Sequence, residues 1–122
     1  MEIWIRRAYE PPARGDGQRL LIDGIWPRGV AKQQLKIEAW LRDAAPSTRL
    51  RQWFDHDPER WEEFRERYFA ELDQRRDVVE DLLRRAKAGR ITLVYAARDP
   101  DYNNAVALRE YLRARRSSPG RR

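Results

Sequence analysis

The stretch Asp-Gly-Ile-Trp-Pro-Arg-Gly, from Asp23 to Gly29, follows an apolar run and ends on an arginine and a glycine. An arginine at the end of a strand, ahead of the unpaired amides of a following helix, is a receptor for phosphate or carboxylate. Its planar fork meets two anion oxygens and the amides meet the rest. Arg28 is the candidate clamp, Asp23 the group that would orient it, and Gly29 the place where backbone could approach a ligand closely. The alternative is an Arg28 paired with Asp23 or Asp99 that only locks the turn. Trp26 offers a large aromatic surface that either packs inward or stacks on a ligand.

A second polar group follows the apolar run ITLVYAA: Tyr95, Arg98, Asp99, Asn103 and Asn104. Arg98 and Asp99 read as an ion pair or a ligand clamp. Asp99, with Pro100 behind it, also reads as a helix cap. The two asparagines are capping residues by default, or amides able to read a base edge or a ribose. His56 lies between Asp55 and Asp57, where a carboxylate can tune an imidazole as a base; a structural histidine at a helix start is the competing reading. Ser47, Thr48 and Thr92 have no neighbour in sequence that would activate them as nucleophiles. No glycine loop of a phosphate-cradling type is present, and the short GDG at Gly15–Gly17 has the wrong context.

The chain has no cysteine and one histidine, which excludes disulfides, thiolate chemistry and a histidine-rich metal centre. A carboxylate magnesium site stays open, no metal ligands are assigned, and the cofactor is unknown. Lysine and arginine number 26 against 20 acidic residues, a net charge of +6. Such a balance suits polyanions, but arginines interleaved with acids also describe an ordinary salt-bridged surface. The densest basic run, RARRSSPGRR, ends the chain; residues 117–122 are expected to be a flexible basic tail giving weak, non-specific nucleic-acid binding. No apolar run would span a membrane and the first residues lack a signal-peptide pattern, so a cytoplasmic protein is expected.

These candidates need elements to hold them. Ile3 and Ile5, extending toward Tyr9, mark a first strand, and PPARGDG is a loop. Arg19–Asp23 is a second strand whose run Leu20–Ile22, like Ile91–Ala97, is almost wholly apolar, the pattern of strands covered on both faces, and the two are expected side by side and parallel in the sheet centre. Val30–Leu35 reads as a short helix and KIEAWLRD contains a short strand. Ser47 or Thr48 can cap the helix that carries Leu50 and Trp53. Asp57 and Pro58 start the next, whose Trp61, Phe64, Tyr68 and Leu72 share one face. Another helix carries Val79, Leu82 and Ala86 and stops at Gly89, and a last one runs from Asn103 to about Arg115. With 122 residues, this predicts a single α/β domain over 1–116, with a small, largely parallel sheet of three or four strands flanked by helices. In such sheets ligands meet the C-terminal strand edges, where both polar groups fall.

The segments RLLIDGIWPRG, WLRDAAPSTRLRQWFDHDPERWEEFRERY and TLVYAARDPDYNNAVAL together resemble the bacterial DUF488 family, in its YeaO-like branch. The resemblance implies a compact α/β domain and carries no activity over. That pattern has an arginine after the first aspartate; here the position is Gly24, so any ligand site using that charge has lost it. The residues leave two expectations. One is a phosphorylated small-molecule site, enzymatic or not, built from Asp23, Trp26, Arg28, Gly29, His56, Tyr95, Arg98, Asp99 and Asn104. The other is a non-catalytic module for nucleic acid or a protein partner.

Overall fold

The two most apolar segments occupy the middle of a four-stranded sheet. The computed structural model of the chain describes residues 1–116, so the basic tail expected at 117–122 lies outside the described residues. Its strands are β1 (Ile3–Arg7), β2 (Gln18–Leu21), β3 (Ala39–Trp40) and β4 (Ile91–Tyr95), all parallel, in the order β1-β4-β2-β3. Leu20 faces Leu93 and Leu21 faces Val94 across the central pair, as two strands without a polar face require. The expected strands end early: β1 stops before Tyr9, β2 before Asp23 and β4 before Ala97. The last residues in each case leave the ladder to build loops.

Five α-helices follow in order: α1 (Lys32–Leu35), α2 (Thr48–Phe54), α3 (Trp61–Asp73), α4 (Arg76–Ala88) and α5 (Asn104–Arg116). The main core joins Leu20, Ile22, Ile91 and Leu93 to Leu50 and Phe54 of α2, Phe64, Tyr68 and Leu72 of α3, Leu82 of α4 and Leu108 of α5. Leu21 and Val94 pack with Leu35, Trp26, Ile37 and Trp40 in a smaller cluster. Burial on both sides is why neither central strand alternates.

Local signals set the helix ends. Ser47 Oγ accepts the Leu50 amide at 3.1 Å and caps α2. Asp57 takes the Glu59 amide, but Pro58–Arg60 forms a 3₁₀ turn, so α3 proper begins at Trp61. Trp61, Phe64, Tyr68 and Leu72 are all buried, as their spacing predicts. The helix expected from Val30 is shorter, one turn from Lys32. Asp99 does not cap α5: Asn103 does, with Oδ1 accepting the Val106 amide at 3.0 Å.

The loop between β1 and β2 holds a feature that sequence reading passed over. Asp16, 1% exposed, takes the Ala13 amide at 3.0 Å, Arg6 Nε at 3.2 Å and Arg19 Nη1 at 2.7 Å. The Thr92 hydroxyl of β4 donates to the Asp16 carbonyl at 2.7 Å. Burial alone would raise the Asp16 carboxyl; the Ala13 amide, Arg19 and Arg6 more than offset it and leave it below its ordinary value.

Candidate functional site

The cleft lies beyond the C-terminal ends of β1, β4 and β2, the location expected for an open α/β sheet. It encloses about 1280 Å³. Its floor is a junction rather than a clamp. After β2, the Ile22 amide still reaches Val94 O at 3.1 Å, and Asp23 then turns its carboxylate toward β4. Asp23 Oδ2 accepts the Ala96 amide at 3.0 Å and Oδ1 accepts Asn104 Nδ2 at 2.9 Å. Asn104 also donates to Ile22 O at 3.3 Å, and among the described residues no hydrogen bond reaches its Oδ1. Asp23 therefore ties β2, β4 and the first residue of α5 together, and it does not orient Arg28. Burial pushes the Asp23 carboxyl above its ordinary value, opposed by the Asn104 and Ala96 hydrogen bonds and the Arg51 charge.

The turn after Asp23 is braced by its aromatics. Trp40 Nε1 donates to Asp23 O and Trp26 Nε1 to Val30 O, each at 2.7 Å, and the two indoles meet edge to face with centroids 5.3 Å apart. Trp26 thus packs, while part of it still lines the cleft. Gly29 has φ +78°, and a Cβ there would meet nothing within 4 Å. Backbone conformation, not close approach, accounts for the glycine. The Ala31 amide ahead of α1 is taken by Gln34 Oε1 at 2.8 Å, so this single turn adds no anion cradle behind Arg28.

Arg28 and Arg98 are exposed on the cleft wall. Asp99 also lines the cleft, its Oδ1 accepting the Asp101 and Tyr102 amides at 2.9 and 3.2 Å. His56, exposed and with φ +56°, lines the cleft just after the end of α2. Tyr95 is not a wall residue: it is buried in the core beneath, where burial raises its hydroxyl pKa. The structure thus brings together Asp23, Trp26, Arg28, His56, Arg98, Asp99 and Asn104 around one cleft.

Further wall residues escaped the sequence reading of the site, among them Arg7, Tyr9, Ile25, Arg51 and Tyr102. The Arg7 guanidinium lies 4.6 Å from the Tyr9 ring centroid, and its Nε donates to Ala97 O at 2.9 Å. Tyr9 donates its hydroxyl to Arg28 O at 3.0 Å. Arg51, on α2, gives Nη2 to Thr48 at 3.2 Å and has a buried Nε with no partner. A helical arginine in a polar stretch carries no sequence signal for this. Tyr9 read as the extension of the first strand, and Ile25 and Tyr102 carried no signal beyond their loops.

The wall's charge distribution is uneven. Arg7, Arg28, Arg51 and Arg98 all line the cleft, and among the described residues none is within ion-pair distance of a carboxylate. Away from the cleft, Arg67, Arg84, Arg85 and Arg90 each hold an acidic partner, whereas Arg42 and Arg76, which line a second hollow with Pro46 and Ser47, have none among the described residues. Four guanidiniums outside ion-pair distance give the strand-end cleft a positive wall that suits an anion, although Asp23, Asp55 and Asp99 line it too. Among the described residues no three His, Cys, Asp or Glu side chains gather as metal ligands, and no helix is long and apolar enough to cross a membrane.

Comparison with known proteins gives a consistent result. A family model described as the inactive DUF488-N3 subclade matches residues 2–119. The uncharacterized protein YeaO of Escherichia coli (strain K12) is 38% identical over 114 residues, covering 93% of this chain and 99% of the relative. The uncharacterized proteins Mb3100c of Mycobacterium bovis and Rv3073c of Mycobacterium tuberculosis (strain H37Rv) are each 39% identical over 115 residues, covering 93% of this chain and 95% of theirs. No solved structure matches.

Proposed function

Because the chain belongs to the DUF488 family, in the subclade described as inactive, we propose that it binds a phosphorylated small molecule without turning it over. The observation that carries this reading is the set of four arginines without carboxylate partners around one concave cleft at the strand C-terminal ends. Arg28 is the principal clamp, with Arg98 beside it and Arg7 and Arg51 supplying further positive potential. Asp23 keeps Asn104 in place, and Asn104 touches the remainder of the ligand. The subclade description favours binding over catalysis. So does the polar inventory: Asp23 is held by two donors, and Ser47 both caps α2 and donates to Glu71. A concave cleft that holds Arg28 and Asp99 together favours a small ligand over a flat nucleic-acid or protein surface.

Calorimetry and ligand-shift melting with a panel of nucleoside and sugar phosphates test the reading on the wild type and Arg28→Lys. Lysine keeps the charge and loses the bidentate fork, so affinity should fall on the order of tenfold, about 1.4 kcal/mol, with the fold unchanged. A panel that shifts neither protein, or both equally, refutes the clamp.

A further inference from the structure

We infer that the phosphate this cleft takes is that of a nucleotide, an inference that rests on the anion-binding reading above. Among the described residues, the exposed large apolar side chains are Ile25 at 63%, Tyr9 at 45% and Tyr102 at 39%. All three line this cleft. They come from three separate loops, following β2, β1 and β4, and a cleft arginine stands in each loop or, for Arg7, at the strand end that leads into it. Arg7 accompanies Tyr9, Arg28 accompanies Ile25, and Arg98 accompanies Tyr102. A site for inorganic phosphate or a sugar phosphate needs the arginines and has no use for the apolar partners. Exposed apolar surface confined to one cleft marks a contact with something equally apolar.

The two tyrosines are exposed but not loose. Arg7 lies over the Tyr9 ring while its hydroxyl is bonded to Arg28 O, and the Tyr102 ring rests on Trp61 with centroids 5.3 Å apart. Rings already held in place lose little entropy when a flat ligand stacks on them. Asn104 adds the polar contact: with both known bonds made through Nδ2, its Oδ1 can accept from an amino or imino group of a base. A ligand with a charged phosphate, a planar apolar ring and hydrogen-bond donors on the ring edge is a nucleotide. The volume of about 1280 Å³ accommodates one in full.

The test is titration calorimetry of the full chain with AMP, GMP, CMP and UMP, against ribose 5-phosphate and inorganic phosphate at the same ionic strength. At least one nucleotide should bind about tenfold or more tighter than ribose 5-phosphate. Tyr102→Ala and Ile25→Ser should cut that preference at least about fivefold and leave ribose 5-phosphate affinity unchanged, whereas Arg28→Lys should weaken both classes. Ile25 makes no hydrogen bond or ring contact, so its variant keeps the test valid if Tyr102→Ala folds poorly. Equal affinity for nucleotides and ribose 5-phosphate overturns the nucleotide inference and leaves the anion site standing. Binding of none of the probes removes both. If the wild type self-associates, and the apolar variants abolish that without changing nucleotide affinity, the rim is a contact between copies and the inference fails.

Discussion

Asp16→Ala should be the most damaging single change outside the aromatic core. The carboxylate is the acceptor for Arg19 Nη1, and Arg19 is only 5% exposed, with Nη2 already lacking a partner. Without Asp16, the buried guanidinium keeps one hydrogen bond, from Nε to Leu35 O at 3.0 Å. Removing one member of a buried ion pair costs about 3–5 kcal/mol, because the other charge stays behind uncompensated. Arg6, partly exposed, can turn to water and adds little. Against a folding free energy of about 5–15 kcal/mol for a domain, such a loss brings the variant close to its threshold. Urea unfolding followed by tryptophan fluorescence near neutral pH measures it directly. Acid supplies a second readout. The Asp16 carboxyl sits below its ordinary value of 3.8 in the folded chain, so its contribution is present above that value and is lost as pH falls through the folded value. Asp16→Asn lacks this titration, so the stability gap between wild type and Asp16→Asn should close as the solution is acidified. A cost of less than about 1 kcal/mol for Asp16→Ala, or a gap that does not close, would refute the assignment of Asp16 as the hub of this loop.

Three other outcomes are expected. Trp61→Ala should cost about 3 kcal/mol in a urea melt, the low end for a core tryptophan because 8% of it is exposed; a cost below about 1 kcal/mol would show that Trp61 is not a core residue. Gly17→Ala should lower the thermal midpoint markedly, because φ is +65° and the new Cβ would lie 2.2 Å from Arg90 O; an unchanged midpoint would contradict that geometry. The Asp23 carboxyl, followed by carbon-detected NMR, should titrate above its ordinary value of 3.8. Its contribution favours the folded state at low pH and is lost as pH rises through the folded value; a midpoint at or below 3.8 is the contrary result.

The sheet was largely legible because its central strands are apolar on both faces, and the α3 face because four large residues repeat at helical spacing. Loops hid the rest. Asp16 sits in a stretch whose glycines and prolines announce only a turn, and nothing local says that Arg6 and Arg19 converge on it. Asp23 and Asn104 were both placed beyond the strand C-terminal ends, where they lie, but their direct bond depends on where α5 starts relative to β4. Arg28 was found by type and place; its freedom from Asp23 was not, since two carboxylates and two arginines in neighbouring loops fit several pairings. Tyr9, Ile25 and Tyr102 have no period at all. Their common destination follows from the strand order, which sequence spacing does not encode.

That strand order also dictates how the molecule must assemble. β1 pairs only with β4, and β4 lies between it and β2. The chain's opening strand therefore has no neighbour until residues 91–95 exist, however long the segment before them has been available. A growing chain can form β2 against β3 and pair α3 with α4, but it cannot close the sheet or join the three loops of the cleft. Folding is thus committed late, by one strand inserted between two waiting edges, and this long-range step should limit its rate.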